Sequence, residues 1–394
     1  MSGFFPASEV QRGKPIGLVA KCGACGLFKN CNSPKMPVHG EGRKQVLIVG
    51  ESPGQTEDQT GLPFTGEAGQ FLRNTLEQLD VDLDTDAWST NALICKTPRG
   101  AAPDAKQIDY CRPNLLNAIA KLRPRVVVLL GRAAVGSLMP VHWKSDVGTL
   151  ERWVGWKIPG PEHWICPTYH PSFLLRAHNP QLDRAFKQHL EQAFAIDTPS
   201  CSLDAPSLRL DDRSAVQLLY EPDDVGRALS RFRDDRWVAV DYETNCLKPE
   251  LPEARIFSCA VSDGGRTISF PWSAEVKNHM ALFFRGGTRK IASNLKFEER
   301  WTKRFFGFGV HNWGWDTMLA AHCLDNRPGI CSLKFQSWVQ LGVPTYNEHI
   351  APLLEGDPYN RIHQIALDDL LYYGGLDALL EYRLAMLQRK EMGL

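Results

Sequence analysis

The sequence predicts two α/β units: a three-layer α/β/α unit built on a parallel sheet, then a mixed α/β unit that opens with a strand meander. Three observations predict this. Apolar, strand-like runs alternate with helix-period segments through the first half, the pattern of a parallel sheet with helices on both faces. A polar stretch without period, DTPSCSLDAPSLRLDD, interrupts the pattern near the middle. Beyond it, strand-like segments come first and helical material dominates afterwards. A chain of 394 residues is long enough to bury two cores.

Taken in order, residues 1–20 read as a leader and 21–36 hold three cysteines, Cys22, Cys25 and Cys31. QVLIVGESPG is an apolar strand running into a Gly/Pro turn, and EAGQFLRNTLEQL has helical periodicity. AWSTNALIC reads as a second strand, DAKQIDYCRPNLLNAIAKL as a helix, and PRVVVLLG as a strand buried on both faces. HWICPTYHPSFLLR reads as a strand ending in a loop and a helix start. Ligands of such sheets sit at the carboxyl ends of the strands, where GESPG, TNALIC and YHPS all fall. The first unit is thus 21–195, the linker 196–212 and the second unit 213–394. In the second unit RWVAVDYET, RIFSCAVSDGG and RTISFPW read as a meander with a Gly-Gly turn. NLKFEERWTKRFF, WDTMLAAHCLD and LDDLLYYGGLDALLEYRLAMLQ read as helices.

Formal net charge is zero, with 22 Lys/Arg against 18 Asp/Glu in residues 1–195 and 23 against 27 in the rest. Neither half has the basic excess of a protein that coats bulk DNA, although a local groove can be positive in a neutral chain. No apolar run approaches the roughly 18–20 residues of a membrane span. The N-terminus lacks a secretory apolar region, so a cytoplasmic protein is expected, without a membrane partner.

Eleven cysteines in such a chain point to metal or catalysis rather than disulfides. Cys22-x2-Cys25 and the distant pair Cys95 and Cys111 can together make a four-cysteine site. Spacing alone leaves three readings open: an iron–sulfur cluster, a zinc ion, or scattered buried cysteines. Cys31 is a spare or competing ligand. In the second unit, Asp241 and Glu243 lie two apart at the end of an apolar strand, which puts both carboxylates on one face and suits divalent ions. The aromatics of ERWTKRFFGFGVHNWGW could stack on single-stranded bases, and a core role is favoured.

GESPGQTEDQTGLPFTGEAGQFL, TNALICKTP, YCRPNL and HPSFLLR, in this order, resemble the family 4 uracil-DNA glycosylases over about residues 20–190. The resemblance implies a [4Fe–4S] cluster on Cys22, Cys25, Cys95 and Cys111. It implies a flipped uracil read in a pocket. Phe64 would stack on the base, and the Asn91 amide would read its edge. His170 would donate to a base oxygen as negative charge develops there. Glu51 would stabilise the oxocarbenium-like sugar or orient water. Glu57 matches a residue that crowds the C5 position against thymine, and the backbone of Ser52 to Gly54 suits a phosphate. Ser52 stands where the family more usually has a small apolar residue.

The second unit resembles the RNase H-like proofreading 3′–5′ exonuclease domain of family A DNA polymerases, over about residues 213–390. Asp241, Glu243 and Asp377 would hold Mg2+ or Mn2+, and Tyr373 would orient the attacking water. Glu298 stands where that family usually has Asp, and its extra methylene moves the carboxylate by about an ångström, enough to matter in catalysis. The two resemblances together match the front of some phage DNA polymerases. The expected function is repair or replication of DNA: uracil excision plus trimming of 3′ ends, in the host cytoplasm for a phage-encoded chain. Expected partners are uracil-containing DNA, single- or double-stranded, DNA 3′ ends, and a DNA polymerase module. The alternatives are a non-cleaving uracil-sensing or structural module of a phage polymerase, and a nuclease carried on a glycosylase-like platform.

Overall fold

The computed structural model describes residues 19–198, 213–232 and 237–394. Residues 1–18 of the expected leader and 199–212 of the expected linker lie outside the described residues. The chain divides into two compact units, Met1–Ser202 and Leu203–Leu394.

The first unit carries a five-stranded sheet. Its strands are β1 (Val46–Gly50), β2 (Ala87–Asn91), β3 (Val126–Leu130), β4 (Ile158–Pro159) and β5 (Trp164–Thr168), in the order β2-β1-β3-β5-β4. All pairs are parallel except β4 with β5. The unbroken apolar runs VLIVG and VVVLL are fully buried, as strands covered on both faces require. The helices are α1 (Cys22–Cys25), α2 (Gln55–Thr60), α3 (Glu67–Glu77), α4 (Leu83–Asp86), α5 (Ala105–Leu122), α6 (Gly131–His142), α7 (Pro171–Ala177) and α8 (Pro180–Phe194). Val46, Ile48, Val126 and Val128 meet Leu72 of α3, Leu174 of α7 and Phe186 of α8 on one face. On the other, α6 packs against β1 and β3 and is backed by α5. Helix α5 starts where Asp104 and Gln107 form a reciprocal capping box.

AWSTNALIC is a strand only as far as Asn91, and the residues after it form a loop that delivers Cys95 to a small apolar cluster. Helix α6 has no counterpart in the sequence reading. GRAAVGSLMPVH follows β3 directly, turning on the single residue Gly131 at φ 83°.

The second unit has six strands: β6 (Gln217–Leu218), β7 (Trp237–Thr244), β8 (Ile256–Ser262), β9 (Thr267–Pro271), β10 (Arg289–Ala292) and β11 (Trp313–Asp316). Their order is β11-β10-β7-β8-β9-β6. The meander β7–β8–β9 is antiparallel, as expected, and short parallel strands extend it at both edges. Those edge strands, of two or four residues, are too short to show a period in the sequence. The helices are α9 (Pro222–Arg231), α10 (Ala274–Arg285), α11 (Lys296–Phe306), α12 (Thr317–Leu324), α13 (Leu333–Leu341), α14 (Ala351–Leu354) and the long α15 (Leu367–Glu391). Val238, Val240 and Tyr242 of β7 face a core with α9, α10 and α11, while α15 lies along β7, β8 and β9. Trp301 is fully buried, and Phe305, Phe306, Phe308 and Trp313 pack on the same core, so these aromatics build the fold.

Candidate functional site

In the first unit the polar groups gather at the carboxyl ends of β1, β2 and β5. Gly50 closes β1, and a Cβ there would lie 2.4 Å from Asn91 Oδ1 and 2.8 Å from Phe64 Cζ. The missing side chain is therefore what lets Asn91 and Phe64 converge over the strand end. Both are buried. Glu51 follows immediately, and burial pushes its carboxyl up while Arg176 pulls it back.

Phe64 sits at φ 54°, an unfavourable backbone for an aromatic residue. Three interactions hold it there. Glu57 Oε1 accepts the N–H groups of Thr65 (3.1 Å) and Gly66 (2.7 Å), and Arg73 Nε donates to the Phe64 carbonyl at 3.1 Å. Arg73 is itself fixed by both oxygens of Asp84, at 2.8 and 2.9 Å. Gly69 leaves room, since a Cβ there would meet the Phe64 backbone at 2.2 Å. The Glu57 carboxylate is thus a brace for the Phe64 loop in this structure.

His170 ends the β5 segment as the N-cap of α7, packed where a Cβ on Gly131 would come within 2.8 Å of its own Cβ. Its Nδ1 accepts the Ser172 N–H at 3.2 Å and lies 2.8 Å from the Ser172 hydroxyl. Burial, helped by Arg176, depresses its pKa to about 4. A neutral ring with Nδ1 accepting must carry its proton on Nε2, which makes Nε2–H the free donor. Ser52 and Gly54 lead into α2, whose N-cap Gly54 makes no side-chain cap. A groove of about 490 Å³ runs from Glu51 past Asp104, Arg112, Arg132 and Gly148.

Four cysteines of the same unit line one small cavity of about 20 Å³: Cys22 and Cys25 from α1, Cys95 from the loop after β2, and Cys111 from α5. Leu27, Phe28, Leu93, Ile94 and Tyr110 complete its wall. Burial pushes the Cys95 thiol up to about 11 and raises that of Cys111. Lys35 N–H points at Cys95 Sγ (3.3 Å) and Asn114 Nδ2 at Cys111 Sγ (3.4 Å). Cys31 is occupied elsewhere, its Sγ donating to the carbonyls of Leu27 (3.3 Å) and Lys96 (3.7 Å).

In the second unit, ligand oxygens of Asp241, Glu243 and Asp377 lie within 4.8 Å of one another. The two strand carboxylates face α15 at Gly374, where a Cβ would sit 3.3 Å from Glu243 Cγ and 3.7 Å from Asp241 Oδ2. Tyr373 and Asp377, one helical turn apart, reach the same place, and Asp377 and the strand carboxylates raise the Tyr373 hydroxyl further after burial has done so. Glu298 does not join the three-carboxylate group. It is buried on α11, with Oε2 lacking a hydrogen-bond partner. The turn before α11 is held by Asp316, which accepts the N–H groups of Asn294 (3.1 Å) and Leu295 (3.0 Å).

Burial and then the Asp377 charge push Asp241 up to about 8, with Lys334 opposing. The sequence reading missed three neighbours. Glu381, buried and raised by burial, Asp241 and Glu298, lies four residues beyond Asp377, a helical spacing that points to it. Lys334 and Tyr346 both contact Asp377 Oδ1, and nothing in SLKFQSW or VPTYNEH marks them. Arg176, which acts on both Glu51 and His170, was missed although it closes the HPSFLLR motif.

A family model described as "Uracil DNA glycosylase superfamily" matches residues 37–195. The chain is 33% identical over 180 residues to the type-4 uracil-DNA glycosylase of Pyrobaculum aerophilum, covering 45% of this chain and 90% of that protein. It is also 33% identical over 180 residues to that of Thermotoga maritima, 44% of this chain and 88% of the other. A DNA polymerase of Bacillus phage SP01 is 23% identical over 393 residues, which is 92% of this chain and 42% of the polymerase. Solved structures include Brucella melitensis NrnC with bound Mg2+ (17% identity, TM-score 0.35, 45% of this chain and 81% of that one). Another is Escherichia coli RNase D (12%, TM-score 0.35, 45% and 46%).

One prediction follows from the His170 geometry. Imidazole 15N NMR at pH 5.5 will report a neutral ring protonated on Nε2, because the folded pKa of about 4 lies below that pH. A charged ring at pH 5.5 contradicts this assignment.

Proposed function

The first half of the chain belongs to the type-4 uracil-DNA glycosylase family; from that membership we propose that the protein excises uracil from DNA, and from the carboxylate group of its second half that it trims DNA 3′ ends. The observation that carries the first activity is the convergence of Phe64 and Asn91 over Gly50, which Glu51 follows in the chain, with His170 presenting an Nε2–H donor. A base extruded from the stack lies on Phe64 and is read by the Asn91 amide. As the N-glycosidic bond breaks, charge grows on a base oxygen, and His170 donates to it from a buried, neutral ring. Such a donor is worth about 10²–10³ in rate. Glu51 stabilises the positive sugar or orients water. Arg176 counters the burial that favours the uncharged Glu51. Glu57 acts through Phe64, and its place beside the platform is compatible with crowding C5. Ser52 to Gly54 offers backbone to a phosphate.

The donor set, four cysteines on the wall of one cavity, fits a [4Fe–4S] cluster held by Cys22, Cys25, Cys95 and Cys111. Tetrahedral zinc–sulfur bonds of about 2.3 Å would bring sulfurs to within about 4 Å of one another. Yet among the described residues Asp241, Glu243 and Asp377 form the metal-type group whose ligand atoms all lie within 4.8 Å, and the cysteines do not. Thiols raised by burial need a cationic partner to ionise. When bound, the cluster supplies a cross-link between α1, α5 and the loop after β2.

Asp241, Glu243 and Asp377 fit Mg2+ or Mn2+, and the unpaired, buried Asp241 Oδ2 is an oxygen without another partner. Two such ions clamp the attacking and leaving oxygens of phosphodiester hydrolysis. Tyr373 is positioned to orient the attacking water. The match to a phage DNA polymerase along 92% of the chain supports a replication setting in a host cytoplasm, beside a polymerase module. Among the described residues no helix is long and apolar enough to cross a membrane.

The first test uses an end-labelled single strand with one internal uracil, incubated in EDTA and treated with alkali. A single break at uracil, absent for thymine and reduced by roughly 10²-fold or more in Glu51→Gln, is expected. No break from a brown, folded protein sinks excision and leaves a uracil-sensing module. Asp241→Ala should abolish Mg2+-dependent 3′ trimming and leave uracil excision at its wild-type rate. Loss of both activities together would contradict two separate sites. Cys111→Ala should lose the brown chromophore and Cys31→Ser should keep it; the reverse pattern refutes the ligand assignment.

A further inference from the structure

Lys334 has no place in the two-metal reading, yet it sits inside its carboxylate cluster. From α13 its ammonium contacts Asp377 Oδ1 and donates to the Tyr346 hydroxyl at 2.7 Å. It lies 4.1 Å from the Tyr346 ring centre and 4.3 Å from that of Tyr373, so two aromatic faces steer it onto the carboxylate. Tyr346 donates to the same oxygen. Asp377 also contributes an oxygen to the group with Asp241 and Glu243. One monovalent cation is therefore lodged against a carboxylate that a divalent ion would share.

We propose that Lys334 is a resident counter-ion of the metal-free site, and that divalent metal must displace its ammonium from Asp377 in order to bind. This inference rests on the nuclease reading of the second unit. Without metal, the carboxylates of Asp241, Glu243 and Asp377 lie together, and the Lys334 ammonium beside Asp377 offsets part of their repulsion. With metal, the ammonium and the dication repel at close range, so the lysine must retreat. Room for that exists. The Lys334 side chain keeps 22% of its surface exposed. A groove of about 420 Å³, lined by Tyr346, Glu348, Asp369 and Tyr373, adjoins it. The lysine thereby sets the metal concentration at which the site loads.

The test is a calorimetric or EPR titration of the full chain with Mn2+ alone, without DNA. Lys334→Gln keeps a hydrogen-bonding side chain and removes the charge. It should bind Mn2+ tighter by about tenfold or more, as loss of a nearby like charge predicts. Lys334→Arg keeps the charge and should stay within about threefold of wild type on the same argument. Circular dichroism in EDTA checks that each variant folds, and the arginine variant remains informative where glutamine does not fold, since a much altered affinity there also counts against displacement. Equal or weaker Mn2+ binding by Lys334→Gln overturns the proposal and leaves the nuclease reading standing. No saturable Mn2+ binding by wild type or any variant overturns both.

Discussion

Burial of ionisable groups at the ends of buried strands is the constraint on which this structure depends. Strands covered on both faces leave only their carboxyl ends for chemistry, and polar groups placed there lose water. Each group is compensated differently. Glu57 takes two backbone N–H groups. His170 gives up its charge instead. The carboxylates of β7 and α15 meet Lys334. Cys95 and Cys111 sit against a hydrocarbon wall that favours their thiol forms until something positive enters.

Glycines make these meetings geometrically possible. Gly50 admits Asn91 and Phe64, Gly131 admits His170, and Gly374 faces the carboxylates of a neighbouring strand, where a Cβ would be a tight contact with Glu243. Two glycines in mid-helix carry a propensity penalty of about 1 kcal/mol each relative to alanine. Gly375 is forced as well, because a Cβ there would lie 2.3 Å from Val216.

Much of this was legible in the sequence. Apolar runs marked β1, β3 and β7, and period two put Asp241 and Glu243 on one face, where the structure brings them together with Asp377. The Gly-Gly turn marked the antiparallel β8–β9 pair. What stayed hidden has physical reasons. Helix α6 follows β3 with one glycine as its only mark, and β6, β10 and β11 are too short to carry a pattern. Lys334 and Tyr346 reach Asp377 only through tertiary packing of α13 and the segment after it, across 43 and 31 residues of chain. The interval from Cys95 to Cys111 gave a ligand pattern without deciding the metal. The width of the sulfur set bears on that choice, and width is a property of the fold.

The brace on Phe64 has a consequence for how an extruded base is met. Glu57 and Arg73 hold the Phe64 loop through the protein's own hydrogen bonds, so the aromatic face is set without a ligand. A binding surface that orders itself on contact loses part of its affinity to that ordering, and a pre-set one does not. On the proposed excision reading, such a face would select bases that have already left the stack rather than reshape itself around a reluctant one. Discrimination then begins in the nucleic acid, with how readily a given position opens, and the pocket acts as a second filter on whatever has opened.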